Sequence, residues 1–122
     1  MVEKAKYISI LNRTKGTIVC DEGRLADTFS TRLFGLLGKR ELRQGEGLLI
    51  KPSSGVHTFG MSFPIDIVAL DRTFKVVGVW PKVGPWLIRG VGRKTRCVLE
   101  LPPGQAEQAN IGIGDELVIQ PG

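Results

Sequence analysis

The chain has a single histidine, and it opens a stretch that ends in a carboxylate: His57-Thr58-Phe59-Gly60-Met61-Ser62-Phe63-Pro64-Ile65-Asp66. Imidazole titrates near neutrality without help, which makes His57 a candidate general base or ligand and Asp66 a candidate to orient it or to hold substrate. Each has a plainer reading. A lone histidine at a loop–strand junction can simply bond backbone, and Asp66 can accept the amides of the Phe63-Pro64 turn or pair with Arg32. Arg32 offers a guanidinium that could stabilise an anion. Glu100 is a second acid, facing the same way as Val98 and Arg96, and its plainer reading is an exposed cross-strand ion pair worth at most about 1 kcal/mol. Met61 and Phe59 read as an apolar wall. Trp86, beside a basic run, is the aromatic best placed to meet something external, whereas Trp80 reads as core.

Other chemistry is excluded by residue type and spacing. There is no glycine-rich phosphate loop, no zinc spacing and no nucleophile elbow. One histidine rules out a histidine-rich metal centre, and a metal would have to be assembled through space from His57 with Asp66 or Glu100. No metal and no cofactor is therefore assigned. Cys20 and Cys97 lie far apart without paired spacing and read as buried small hydrophobes. A disulfide between them would matter only outside the cytoplasm.

The elements that must position these residues are mostly short strands. Tyr7–Asn12 and Thr17–Cys20 are rich in strand formers and flank Arg13-Thr14-Lys15-Gly16, a hairpin with Gly16 free to take positive φ. Asp27 or Ser30 can cap a helix in which Phe29, Leu33, Leu36 and Leu37 recur at helical spacing, with Arg32 flanking that stripe. Gly47–Ile50 is a short buried strand. His57 to Ser62 reads as a half-buried strand, broken at Phe63-Pro64 because proline lacks an amide hydrogen. Ile65–Leu70 is apolar on both faces apart from Asp66, and a buried carboxylate needs a partner or a raised pKa. Lys75–Trp80 completes a second hairpin, and Pro81 to Gly92 reads as a long surface loop carrying Trp86. Thr95 to Leu101 alternates convincingly as a strand, Pro103 opens a helical turn through Ala109, and Glu116–Gln120 is the last strand. Seven or eight short strands with glycine turns predict a mainly β fold, an antiparallel sandwich or open barrel with one clear helix and a short helical turn. No strand–helix alternation supports a parallel sheet.

At 122 residues the chain predicts one domain, residues 1–122, and its 42% hydrophobic and 24% charged content is globular. No apolar run reaches the roughly 20 residues of a membrane helix. The start resembles no signal peptide, so the chain as written is expected in the cytoplasm, or outside it if a leader has been trimmed. Of the net charge of +5, all is accounted for by Lys82, Arg89, Arg93, Lys94 and Arg96, a run without an acid. Such a patch attracts anions, although a solvated loop looks the same.

Four motifs in order carry a family resemblance: Arg32-x-x-Gly35-Leu36, His57-Thr58-Phe59-x-Met61-x-Phe63-Pro64-Ile65-Asp66, Val98-Leu99-Glu100-Leu101-Pro102-x-Gly104, and Gly112-Ile113-Gly114-Asp115. Together they resemble the family called domain of unknown function 192, over most of the chain. The resemblance implies a small, mainly β, sandwich-like domain with one or two helices, found widely in prokaryotes and often behind a signal peptide. It implies no established activity. The family pattern points to Arg32, His57, Met61, Pro64, Asp66 and Glu100. This chain departs from it with Gly60 in place of a bulky aromatic, Leu37 in place of methionine and Pro103 in place of alanine.

The expected function is a binding module for a small polar or anionic ligand, at a polar cluster of Arg32, His57, Asp66 and Glu100 beside Met61 and Trp86. The alternative is a hydrolase- or lyase-type enzyme with His57 as base, Asp66 orienting it and Arg32 on an anion. Nucleic-acid binding through residues 82–96 ranks last, because the run lacks repeated aromatic interleaving. No oligomeric state follows from these residues.

Overall fold

The alternation at the start of the chain produces the expected hairpin, β1 at Lys6–Asn12 and β2 at Thr17–Ala26. The computed structural model describes residues 6–28, 42–53, 55–57, 63–84, 88–90 and 92–122, with backbone alone at 55–57 and 88–90. Gly16 closes the turn at a φ of 68°, a conformation costly for other residues. The β1–β2 register skips from Ile10↔Cys20 to Leu11↔Ile18, a bulge. One extra residue lets Val19 and Cys20 both turn inward, each 1% exposed.

The remaining elements are β3 (Glu46–Ile50), β4 (Gly55–His57), β5 (Ile65–Leu70), β6 (Val76–Val83), β7 (Ile88–Gly90), β8 (Cys97–Leu101), α1 (Gln105–Gln108) and β9 (Leu117–Pro121). Seven strands form one sheet in the order β6-β5-β8-β3-β2-β1-β9, and β4 pairs with β7 in a second, two-stranded sheet. The fold is mainly β, with the seven-stranded sheet curled into a half-barrel. At one end its two edge strands meet: Lys75 bridges to Glu116, the Val76 amide donates to Asp115 O at 2.8 Å and the Leu117 amide to Phe74 O at 3.0 Å.

Two features depart from the sequence reading. The sheet is antiparallel except at β2–β3, which run parallel from Glu22↔Glu46 to Ala26↔Ile50. A parallel neighbour requires a long crossover, and residues 27–45 supply one; the predicted helix around Phe29–Leu37 falls there, outside the described residues. The expected loop from Pro81 to Gly92 is replaced by strand at both ends: β6 continues through Val83, and Ile88–Gly90 pairs with Gly55–His57. Of the strand expected over His57 to Ser62, only its first residue lies in β4, and 58–62 lie outside the described residues.

The curl gives the sheet an inside and an outside. The inner core draws Ile8, Ile10, Val19, Leu49, Val68, Leu70, Val76, Leu99, Leu101 and Leu117 from seven strands, with Ala106 and Ala109 of α1 against it. An outer core covers β3, β5 and β8 with Leu48, Ile65, Ile67, Ala69 and Val98, joined by Leu42 and Val83. Every residue of β5 is therefore buried, as its two apolar faces predict. Trp80, read as core, is half-buried at the margin of the outer core, where its ring lies across Gly78. A Cβ on Gly78 would meet Trp80 Cζ3 at 2.7 Å. No helix among the described residues is long and apolar enough to cross a membrane.

Candidate functional site

Three carboxyl groups are buried in the described structure, Asp66, Glu100 and Asp115 at 0%, 3% and 4% exposure, and each is solvated differently. Asp66 is the second residue of β5 and opposite Leu101 of β8. Alternation along the strand puts it on the inner face with Val68 and Leu70. Its Oδ1 accepts the Lys82 amide at 2.9 Å, and its Oδ2 accepts the Gly104 and Ala106 amides, each at 3.0 Å. Gly104 is the N-cap of α1 and has no side chain to satisfy the first free amides of that helix. Asp66 supplies the missing acceptor from another strand. It also holds Lys82, whose φ of 51° marks a local irregularity of β6. The acceptor role considered for Asp66 is thus present, but with amides of Lys82, Gly104 and Ala106 in place of those of the Phe63-Pro64 turn.

Glu100 belongs to β8, next to Leu101 and opposite both Ile67 of β5 and Leu48 of β3. It shares its face with Val98, so it lies on the outer side, across the sheet from Asp66. In place of the exposed ion pair expected for it, Glu100 is buried. Burial among aliphatic side chains pushes that carboxyl up to about 8, so near neutrality it is held mainly as the neutral acid. A neutral carboxyl is a hydrogen-bond donor as well as an acceptor.

Asp115, at the end of the Gly112-Ile113-Gly114-Asp115 motif, closes a clamp that no local spacing announces. Its Oδ2 accepts Asn12 Nδ2 at 2.9 Å, the Gly112 amide at 2.9 Å and Lys15 Nζ at 3.0 Å. Lys15 Nζ also donates to Asn110 O at 2.9 Å. Burial alone would raise Asp115, but the hydrogen bonds from Asn12, Gly112 and Lys15, with the Lys15 charge, outweigh it and hold the carboxyl below its usual range. The clamp ties the β1–β2 turn to the chain entering β9.

The structure thus separates Asp66 from Glu100 by the thickness of the sheet and joins them in no cluster. His57 ends β4, paired with Ile88, and its side chain lies outside the described structure, as do Arg32, Met61 and Trp86. Both cysteines are buried and free. Cys20 is pushed up to about 12, first by burial, with the Ile10 backbone hydrogen bond opposing and the Asp21 charge adding, so no thiolate forms near neutrality. Burial also raises Cys97, against the Lys51 charge and with that of Asp71. Among the described residues no group of three metal-ligating side chains converges. In the basic run, Lys82, Arg93, Lys94 and Arg96 are exposed, and Arg96 Nη1 is occupied by Arg93 O and Thr95 O, each at 3.0 Å.

Comparison with known proteins gives this geometry its family. Residues 10–119 match the family model DUF192, described as an uncharacterised conserved region. A UPF0127 protein of Pyrococcus horikoshii is 31% identical over 111 residues, covering 88% of this chain and 96% of that protein. One from Thermococcus sibiricus is 29% identical over 113 residues, covering 88% and 72%. Among solved structures, a candidate transcription regulator from Sinorhizobium meliloti 1021 superposes with a TM-score of 0.80 at 21% identity, over 97% of this chain and 96% of that one. A protein of unknown function from Novosphingobium aromaticivorans gives 0.77 at 20% identity, over 92% and 83%. At those identities the structures share the fold, while the sequence matches carry the membership: this chain belongs to the DUF192 family.

Proposed function

We propose that this protein is a small-molecule binding module, whose ligand is held on the outer face of the sheet by Glu100. One observation supports the reading above others: a carboxyl on a residue 3% exposed, opposite Leu48 and Ile67, which burial pushes up to about 8. A carboxyl kept neutral by burial in an apolar sheet face is perturbed in the way that groups at ligand and functional sites often are. As a neutral acid Glu100 donates to an oxygen acceptor, which suits a small polar or anionic molecule. The net charge of +5 favours the anion. Arg32, His57, Met61 and Trp86 are the residues proposed to complete the site.

The enzyme alternative needs Asp66 free to orient His57, and both Asp66 oxygens already accept backbone amides, which favours the binding reading. Native mass spectrometry of the purified protein tests it. The expected result is a small molecule that co-purifies, leaves on denaturation, and is missing from a Glu100→Met variant with an unchanged circular dichroism spectrum. A wild-type protein without bound mass, or a variant that keeps the same mass, overturns the proposal.

A further inference from the structure

The fold takes apart the basic run of the sequence and assembles a different basic surface, independent of the Glu100 reading. Lys82 lies beside Asp66 near the start of β5, where its amide donates to Oδ1, whereas Arg93, Lys94 and Arg96 lead into β8 at the opposite end of the sheet, where Leu70 pairs with Cys97. Three segments meet there. The Arg96 amide donates to Leu70 O and the Ser53 amide to Arg96 O, each at 2.8 Å, which joins residues 93–96 to the end of β5 and to residues 51–53 after β3. The Asp71 amide donates to Lys75 O at 2.9 Å and closes the β5–β6 turn beside them. Lys51 Nζ lies 5.3 Å from the centroid of the Phe74 ring, so the curl of the sheet carries the end of β3 across to the start of β6.

These segments bring together Lys51, Arg72, Lys75, Arg93, Lys94 and Arg96, all exposed, with one acid, Asp71. Asp71 Oδ1 accepts the Thr73 amide at 2.8 Å, Thr73 Oγ1 at 2.7 Å and the Lys75 amide at 3.0 Å, so that carboxylate is engaged within its own turn. The acids on either flank are engaged by other cations. Asp27, next to the Ala26 carbonyl that accepts the Lys51 amide, pairs with Lys6 at 3.6 Å, and Glu116, bridged to Lys75 through backbone, pairs with Arg13 at 3.8 Å. One surface thus carries a charge of +5, equal to the net charge of the whole chain. Cations gathered in this way repel one another, and a polyanion relieves that cost. Arg96 is fixed in advance, because Nη1 donates to Arg93 O and Thr95 O, and a planar guanidinium held in place suits a phosphate.

What the surface lacks narrows the partner. The large exposed hydrophobics among the described residues, Tyr7, Ile18 and Ile113, belong to other segments. No ring is offered for stacking an unpaired base, and no apolar anchor for a protein interface or for entry into a bilayer. A duplex asks only for cations along its phosphates, since counterion release supplies essentially all of its sequence-independent affinity. We propose that this surface docks the phosphate backbone of double-stranded nucleic acid without reading its sequence.

Anisotropy of a fluorescein-labelled DNA duplex of about 20 base pairs, titrated with the whole protein across a salt series, tests this. Affinity is expected to fall roughly a thousandfold between about 50 and about 200 mM salt, a log–log slope near about −5 for six cations. A variant carrying Lys51→Gln, Arg93→Gln and Lys94→Gln, with an unchanged circular dichroism spectrum, is expected to reduce the size of that slope by about 3, while Lys82→Gln, at the far end of the sheet, leaves it in place. No binding at about 50 mM salt, a slope that persists in the triple variant, an equal drop in Lys82→Gln, or tighter association with phosphatidylserine vesicles than with the duplex overturns the proposal.

Discussion

Asp66 and Glu100 sit on neighbouring strands, one register step apart, and are both buried, yet their surroundings are opposite. On the inner face, Asp66 receives three backbone amides, which replace the hydrogen bonds it gave up in leaving water. On the outer face, Glu100 lies opposite Ile67 and Leu48, and burial there pushes its carboxyl up to about 8. The first arrangement is what a fold uses to tie elements together: β5, the end of β6 and the start of α1 meet at one carboxylate. The second sets a carboxyl among aliphatic side chains and holds it mainly neutral near neutrality, the arrangement on which the proposed ligand site rests. Motif membership alone did not separate the two roles; the partners of each carboxyl do.

The contrast makes Asp66→Ala the most damaging change. It strips the acceptor from the amides of Lys82, Gly104 and Ala106, and buried groups left unpaired cost roughly 1–3 kcal/mol each, so a loss of about 3–5 kcal/mol is expected in denaturant unfolding. A loss under about 1 kcal/mol would break the assignment of Asp66 as a structural lock. Asp115 sharpens the comparison as a second satisfied carboxylate. Asp115→Asn removes the charge opposite Lys15 and disturbs the bonds from Asn12 and Gly112, with an expected loss of about 1–2 kcal/mol near neutrality. Its folded-state pKa lies below the ordinary 3.8, so its contribution is fully present above that value and is lost as pH falls through the lower, folded value. The variant should accordingly lose less stability than wild type on acidification below about pH 4, measured by thermal unfolding.

Much of this was legible from local pattern. The strands at Ile65–Leu70 and Cys97–Leu101, the β1–β2 hairpin around Gly16, the helical turn after Pro103 and the burial of both cysteines follow from alternation, turn residues and size. Distant partners escaped it. The amides that hold Asp66 lie 16, 38 and 40 residues along the chain, too far for any spacing rule. Strand β7 is three residues long, too short to show a period. Glu100 shares a strand face with Arg96, which is exposed, so the pattern read as a solvated face; the outer core covers that face only from Val98 onward. Gln105, whose side chain accepts the Gly45 amide and donates to Val19 O and Glu46 O, carried no local signal, because its role as a brace exists only once β2, β3 and α1 are assembled.

Unfolding free energy of wild type and Glu100→Gln across pH 5 to 10 bears most directly on the burial-raised carboxyl. Glu100 is raised from 4.5 to about 8, so between those values the folded state holds a proton that the unfolded chain has released. Stability that is full below about 4.5 should then fall as pH rises, relative to the variant, by on the order of 1.4 kcal/mol per pH unit up to about 8. A difference that stays constant with pH, or a wild type that gains stability as pH rises, would contradict the burial-raised carboxyl on which the proposed site rests.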